Sequence, residues 1–169
     1  VVSDATLNSK YRTLFVSCHG QYSLGAPFTE RFFELAVRSR SKASGFIGLI
    51  TTNSFMKREF GTKLIETVLP KLDLTHIVDS SGAYIPGHGT PTIILFGRNR
   101  APVSEKIRTV RGIKGEPSQP AEPANGLVWR AITEFIDRPG TENDFVSCDD
   151  TARDVFKKHP WNIGGGGAT

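Results

Sequence analysis

The chain has 169 residues, 38% of them hydrophobic and 22% charged, which suits one folded domain and excludes a disordered polyelectrolyte. No apolar run approaches the roughly 20 residues that span a bilayer, and no signal peptide opens the sequence, so a cytoplasmic location without membrane contact is expected. Two distant cysteines, Cys18 and Cys148, fit a reducing compartment; one disulfide remains possible, and no metal site is expected.

Residues 1–23 mix polar and aromatic side chains without a period and read as a loop with a helical turn near Tyr11 to Phe15. Pro27 can start a helix, since its missing N–H is not needed there. Phe28, Phe32, Phe33, Leu35 and Val37 give that helix an apolar face, and it should end in the Ser-rich run 39–44. Residues 46–51 are almost continuously apolar, the pattern of a strand buried on both faces. Thr52, Asn53 and Ser54 can cap a following helix. Phe55, Phe60, Leu64, Ile65, Val68 and Leu69 form its buried stripe. Gly61 weakens that helix unless close packing requires it, and Pro70 ends it.

Residues 72–78 and 92–96 read as two more strands. The loop between them is too short for a helix, so they should run antiparallel. The resulting expectation is an α/β domain whose parallel sheet has one reversed strand at its end. Further on, 107–113 reads as a strand, 115–125 as a Pro-rich linker and 127–136 as a helix. Thr151 with Asp154 resembles a capping box that opens a short helix to Lys158. Gly164 to Gly167 could imitate a phosphate loop, but a flexible boundary is the simpler reading.

The net charge of +4 is unevenly distributed. Arg98, Arg100, Lys106, Arg108, Arg111 and Lys114 face only one acid, Glu105, in their segment. Arg38, Arg40 and Lys42 form a second cluster, and Lys57 with Arg58 a third. Such patches attract nucleic acid; a solvated basic edge without a partner fits the charge equally well. Cys18-His19 lacks the further ligands a metal needs. Glu30 and Glu34 read as a solvated helix face beside Arg31 and Arg38. His88 reads as a solvated loop residue.

Three segments carry a family resemblance: Tyr22-Ser23-Leu24 with Phe28, the run 45–55, and Asp79-Ser80-Ser81-Gly82-Ala83-Tyr84 through Phe96. Together they resemble the N6-adenine DNA methyltransferases. The wording of residues 54–61, 82–92, 111–117 and 159–161 is closer still, and resembles the phage-growth-limitation type used in antiphage defence. The resemblance implies a Rossmann-like methyltransferase fold of seven strands that binds S-adenosylmethionine at the carboxyl edge of the sheet. It implies that residues 1–100 are the C-terminal half of the catalytic domain, and that 101–169 are a basic extension, a Pro-rich linker and the start of a downstream region.

The family's Gly-rich loop and its Asn/Asp-Pro-Pro-Tyr/Phe tetrapeptide have no match here, since the sequence contains no Pro-Pro. Family spacing would put the tetrapeptide just before Val1. The resemblance therefore implies a partner, the remaining N-terminal half of the catalytic domain, and a chain inactive by itself. It gives Tyr84 the role of an aromatic platform for the extruded target base, and Phe28 a contact with the cofactor's adenine. Lys57, Arg58, Arg98, Arg100, Arg108 and Arg111 are the candidates for the backbone of double-stranded DNA. From the residues alone, Tyr84 could equally cap the sheet, Phe28 could be core, and Asn53 a helix cap. A catalytically inactive DNA-binding or complementing module is the alternative reading of the whole.

Overall fold

The computed structural model describes residues 4–39 and 43–163, so Arg40, Lys42 and the run Gly164 to Gly167 lie outside the described residues. Two helices come first: α1 (Ala5–Leu14) and α2 (Gly25–Leu35). Asp4 starts α1 by accepting the Leu7 N–H at 2.9 Å, which satisfies an amide that the helix leaves unpaired. A full helix thus stands where a single turn was expected. It is an exposed helix with a weak apolar stripe, which is why periodicity did not reveal it.

Six strands then form one sheet: β1 (Phe46–Thr52), β2 (Asp73–Asp79), β3 (Thr92–Arg98), β4 (Lys106–Gly112), β5 (Thr141–Glu142) and β6 (Val146–Ala152). Their spatial order is β1-β3-β2-β4-β6-β5. β3 is antiparallel to β2, as its short connection requires, and also antiparallel to β1. It therefore lies between these two strands, not at the end of the sheet. β2 and β4 run parallel, β6 is antiparallel to β4, and β5 to β6. The domain is mixed α/β with a mostly antiparallel sheet. The sheet continues across residue 100, the expected domain boundary, because β4 is hydrogen-bonded to β2.

Alternation along the strands divides the core into two layers. Ile77, Ile93, Leu95 and Ile107 point to one face, where Phe33 of α2 meets Leu64, Ile65, Phe156 and Trp161. Val78, Val110, Val146 and Cys148 point to the other, under α3 (Leu127–Phe135) with its Val128, Ala131 and Ile132. Cys18 and Cys148 belong to these two separate clusters and are both free thiols. Residues 141–152 were not expected as strands. Thr151 lies within β6 instead of capping a helix, and Asp154 pairs with Lys157 at 2.6 Å in the short 3₁₀ turn that follows.

The helix expected over 55–69 is broken. Two 3₁₀ turns, Asn53–Met56 and Glu59–Gly61, precede a π turn at Leu64–Val68 and a last 3₁₀ turn at Leu69–Lys71. The chain folds back so tightly that a β-carbon on Gly61 would lie 1.7 Å from the Phe55 carbonyl oxygen. The glycine is thus a packing requirement. The break still delivers Phe55, Phe60, Leu64 and Ile65 to the core.

Asp73 organises the amino edge of the sheet. Only 1% exposed, it accepts from Arg100 at 2.9 Å, from the Val103 N–H at 3.3 Å and from Arg153 at 3.4 Å. It holds the crossing from β3 to β4 in place. Beside it, Arg108 donates to Asp150 at 2.7 Å and to the Ile136 carbonyl at 2.7 Å. Burial, and next the Arg108 guanidinium, push the His76 imidazole below the ordinary histidine value of 6.5. The folded chain then refuses a proton that the unfolded chain accepts.

Two outcomes follow. Gly61→Ala should cost about 3 kcal/mol or more, or abolish folding, because the clash is with backbone; urea denaturation at unaltered m-value measures it. The His76 contribution is fully present above the unfolded histidine value and is lost as pH falls below it. Stability should therefore decline as pH falls below the ordinary histidine value of 6.5, and less so in His76→Gln. An equal decline in wild type and variant would contradict the assignment.

Candidate functional site

The carboxyl ends of β1, β2 and β4 share one edge of the sheet, and the loop 80–91 stands on it between β2 and β3. Ser80 and Thr92, both buried, close the base of the loop: the Ser80 N–H donates to the Thr92 carbonyl at 3.2 Å, and their hydroxyls share a hydrogen bond at 2.8 Å. Pro86 and Gly87 make the turn at its tip, where the His88 N–H donates to the Ile85 carbonyl at 3.1 Å. Between tip and base lies a cavity of about 210 Å³ bordered by Ser80, Tyr84, Ile85, His88, Thr90 and Thr92.

Tyr84 is half-buried on this loop, and its backbone carbonyl accepts the Trp129 indole N–H at 3.0 Å. Its position therefore involves α3 as well as the sheet. Trp129 was not expected to reach this loop. The only signal available was an indole on the apolar side of the 127–136 pattern, and sequence periodicity does not say what such a side chain meets.

The exit of β1 lies on the same edge. The Asn53 N–H donates to the Pro91 carbonyl at 3.0 Å, so β1 leaves the sheet against the end of the Tyr84 loop. Asn53 opens the first 3₁₀ turn with no side-chain cap bond from Thr52 before it. Lys57 and Arg58 follow it, and both are exposed. Arg111, near the end of β4, is half-buried and reaches Thr151 at 3.4 Å.

The reversed strand carries the rest of the basic run away. Arg98 lies opposite Phe46 and Asp73, at the far edge of the sheet. Its guanidinium sits 5.1 Å from the Phe46 ring centre and donates to the Ser44 carbonyl at 2.6 Å. Arg100 and Arg108 are held at that side by Asp73 and Asp150. The six candidate cations therefore divide: exposed Lys57 and Arg58 follow the exit of β1, the Arg111 guanidinium turns back along β4 to Thr151, which lies opposite Ile107, and Arg98, Arg100 and Arg108 are held toward the amino side. Antiparallel pairing is the cause, since one strand length moves the end of β3 across the whole sheet.

Phe28 is 55% exposed, so it is not a core residue. It forms an outward stripe on α2 with Leu24, Phe32 and Leu35 at helical spacing, all exposed. The start of α2 lies against the exit of β1, where a β-carbon on Gly25 would approach Thr51 Oγ1 to 2.7 Å. β1 itself was expected to be buried on both faces. It is instead the outer strand, with Phe46 and Ile50 exposed and no neighbour on its far side among the described residues.

The other candidates resolve as structure. Glu30 is buried and accepts the Val16 and Ser17 N–H groups at 3.2 and 2.9 Å, so it anchors the preceding loop instead of lying on a solvated face. Glu34 is exposed and pairs with Arg31. Burial pushes the Cys18 thiol up, which disfavours a nucleophilic thiolate. His88 is exposed, as expected of a loop histidine. Among the described residues no cluster could hold a metal ion, and no helix is long and apolar enough to cross a membrane.

Comparison with known proteins fits this geometry. The chain is 53% identical over 172 aligned residues to the adenine-specific methyltransferase PglX of Streptomyces coelicolor. The match takes in 98% of this chain and 14% of that protein, so the chain spans about one seventh of its relative. The fold is similar to that of a solved modification subunit of a type I restriction enzyme from Vibrio vulnificus, with a TM-score of 0.54. That likeness covers 88% of this chain and 34% of the other at 12% identity, and concerns the fold alone. No family's sequence profile matches the chain.

Proposed function

Because the chain is similar along almost its whole length to a segment of an adenine-specific methyltransferase, we propose that it is the target-base side of a DNA adenine N6-methyltransferase of an antiphage defence system. The observation that carries this reading is Tyr84, half-buried beside a cavity on the carboxyl-edge loop, with exposed Lys57 and Arg58 in the segment that follows the exit of β1. An adenine rotated out of the duplex loses its stacking neighbours at a cost of a few kcal/mol. The Tyr84 ring offsets part of that loss by stacking. Lys57 and Arg58 neutralise phosphates and set register, which gives affinity without sequence choice.

The methyl donor in this reading is S-adenosylmethionine, which supplies an electrophilic methyl group. Phe28 is the one residue here suited to pack on its adenine, being exposed and one turn from the exit of β1. The residues that would enclose the rest of the cofactor and polarise the target amino group belong to the remaining N-terminal half of the catalytic domain. The open edge of β1 and the uncovered apolar stripe of α2 are the surfaces that such a half would cover. Residues 1–100 belong to that catalytic domain together with β4, β5, β6 and α3, which continue its sheet and cover its second face. The chain alone is inactive in methyl transfer.

Single-stranded DNA carrying 2-aminopurine tests the reading without the cost of base extrusion. Tyr84→Ala should weaken its binding by roughly 1–3 kcal/mol, while Tyr84→Phe should retain it. Lys57→Ala and Arg58→Ala should each lower the salt dependence by about one unit of slope, with Arg98→Ala near neutral. Unchanged binding in Tyr84→Ala would remove the base-platform role. Salt-dependent binding that ignores Tyr84 and survives without any cofactor affinity would favour an inactive DNA-binding module.

A further inference from the structure

The Tyr84 loop is tied down from outside the sheet at two points. The Glu116 N–H donates to the Gly82 carbonyl at 2.9 Å, and the Trp129 indole N–H donates to the Tyr84 carbonyl at 3.0 Å. The first contact needs bare backbone: a β-carbon on Gly82 would lie 3.0 Å from Gly115 Cα and 3.2 Å from the Lys114 carbonyl oxygen. Ala83, between the two ties, packs into the apolar cluster beneath α3 together with Trp129 itself.

The two ties are linked to each other. The Glu116 carboxylate accepts the Leu127 and Val128 N–H groups at 2.8 and 3.0 Å. These are open amides of the first turn of α3, where a negative charge also meets the positive end of the helix dipole. Glu116 therefore holds the helix by its side chain and the loop by its backbone. The helix then returns the Trp129 N–H to the same loop two residues further along. Val128 and Ile132 fasten α3 to the sheet in the layer of Val78 and Val110.

We propose that Trp129 and Glu116 are positioning residues for the Tyr84 ring. The proposal rests on the reading of Tyr84 as a base platform and adds what sets the place of the ring. A hydrogen bond at the residue 84 carbonyl fixes the peptide plane that follows Tyr84. Ile85, next in line, is already restricted to extended backbone because Pro86 follows it. The ring is then held from both sides of its own Cα, and α3 sets where it stands above the carboxyl edge. Small misplacements matter, because stacking and transfer geometry tolerate little displacement.

The test is a double-mutant cycle on the full chain, read by 2-aminopurine binding to single-stranded DNA and by amide exchange in residues 82–90. Trp129→Phe retains an aromatic ring in the apolar cluster and removes the N–H. It should weaken binding about fivefold and speed loop exchange about fivefold, the value of one hydrogen bond. Combined with Tyr84→Ala it should add nothing further to the binding loss. Glu116→Gln should act in the same direction with a smaller effect, and serves if Trp129→Phe folds poorly. Arg130→Ala, on the exposed side of α3, should leave both readouts unchanged. Additive losses in the double variant, or unaltered loop exchange in Trp129→Phe and Glu116→Gln, would overturn the positioning role while the platform reading stands. A silent Tyr84→Ala would overturn both.

Discussion

The placement of β3 between β1 and β2 decides most of what this chain can do. A reversed strand in that position satisfies the backbone groups along one side of each neighbour. It makes the β2–β3 connection a short loop on the carboxyl edge, and so presents Tyr84 there. It also carries the chain back to the amino edge before the basic run is complete. Arg100 is thereby committed, with Arg153, to the buried Asp73, Arg108 to Asp150 at the surface, and Arg98 to the Ser44 carbonyl and the Phe46 ring. One pairing choice thus separates the charges that hold the fold from those at the edge where a polyanion could approach.

The same choice leaves β1 on the outside. Phe46, Ile50 and the α2 stripe of Leu24, Phe28, Phe32 and Leu35 form apolar surface beside an open strand edge. Surface of this kind is a liability in a free-standing domain. It is natural in a part of a larger body, and the matching segment is about one seventh of its curated relative. The downstream residues are not a detached extension. β4 completes the hydrogen bonding of β2, and α3 covers the second face of the sheet and reaches the Tyr84 loop.

Much of this was legible in the sequence where the signal was local. The apolar runs at 46–51, 72–78, 92–96 and 107–113 became β1 to β4, and the stripe at 127–136 became α3. The close packing suspected at Gly61 is real, although the helix around it is not continuous. What escaped was non-local. A strand rich in alternating residues does not declare which neighbours it takes, so β3 was expected at the end and β1 in the interior. β6 carries Ser147, Asp149 and Asp150 beside the buried Val146 and Cys148, and these polar side chains hide its period. Glu30 read as solvated because its partners are backbone amides, which no side-chain pattern reveals. The role proposed for Tyr84 came only through resemblance, since the residue carries no mark of it, and the contact from Trp129 joins residues far apart in sequence.

The most direct measurement exchanges the matching segment of the Streptomyces relative for this chain and follows methyl transfer to DNA adenine. The account predicts that the chimera transfers methyl groups, that Tyr84→Ala in it reduces the transfer sharply, and that the isolated chain shows none. Transfer by the chain alone, or a chimera indifferent to Tyr84, would contradict the claim that this loop forms the target-base wall of a shared active site.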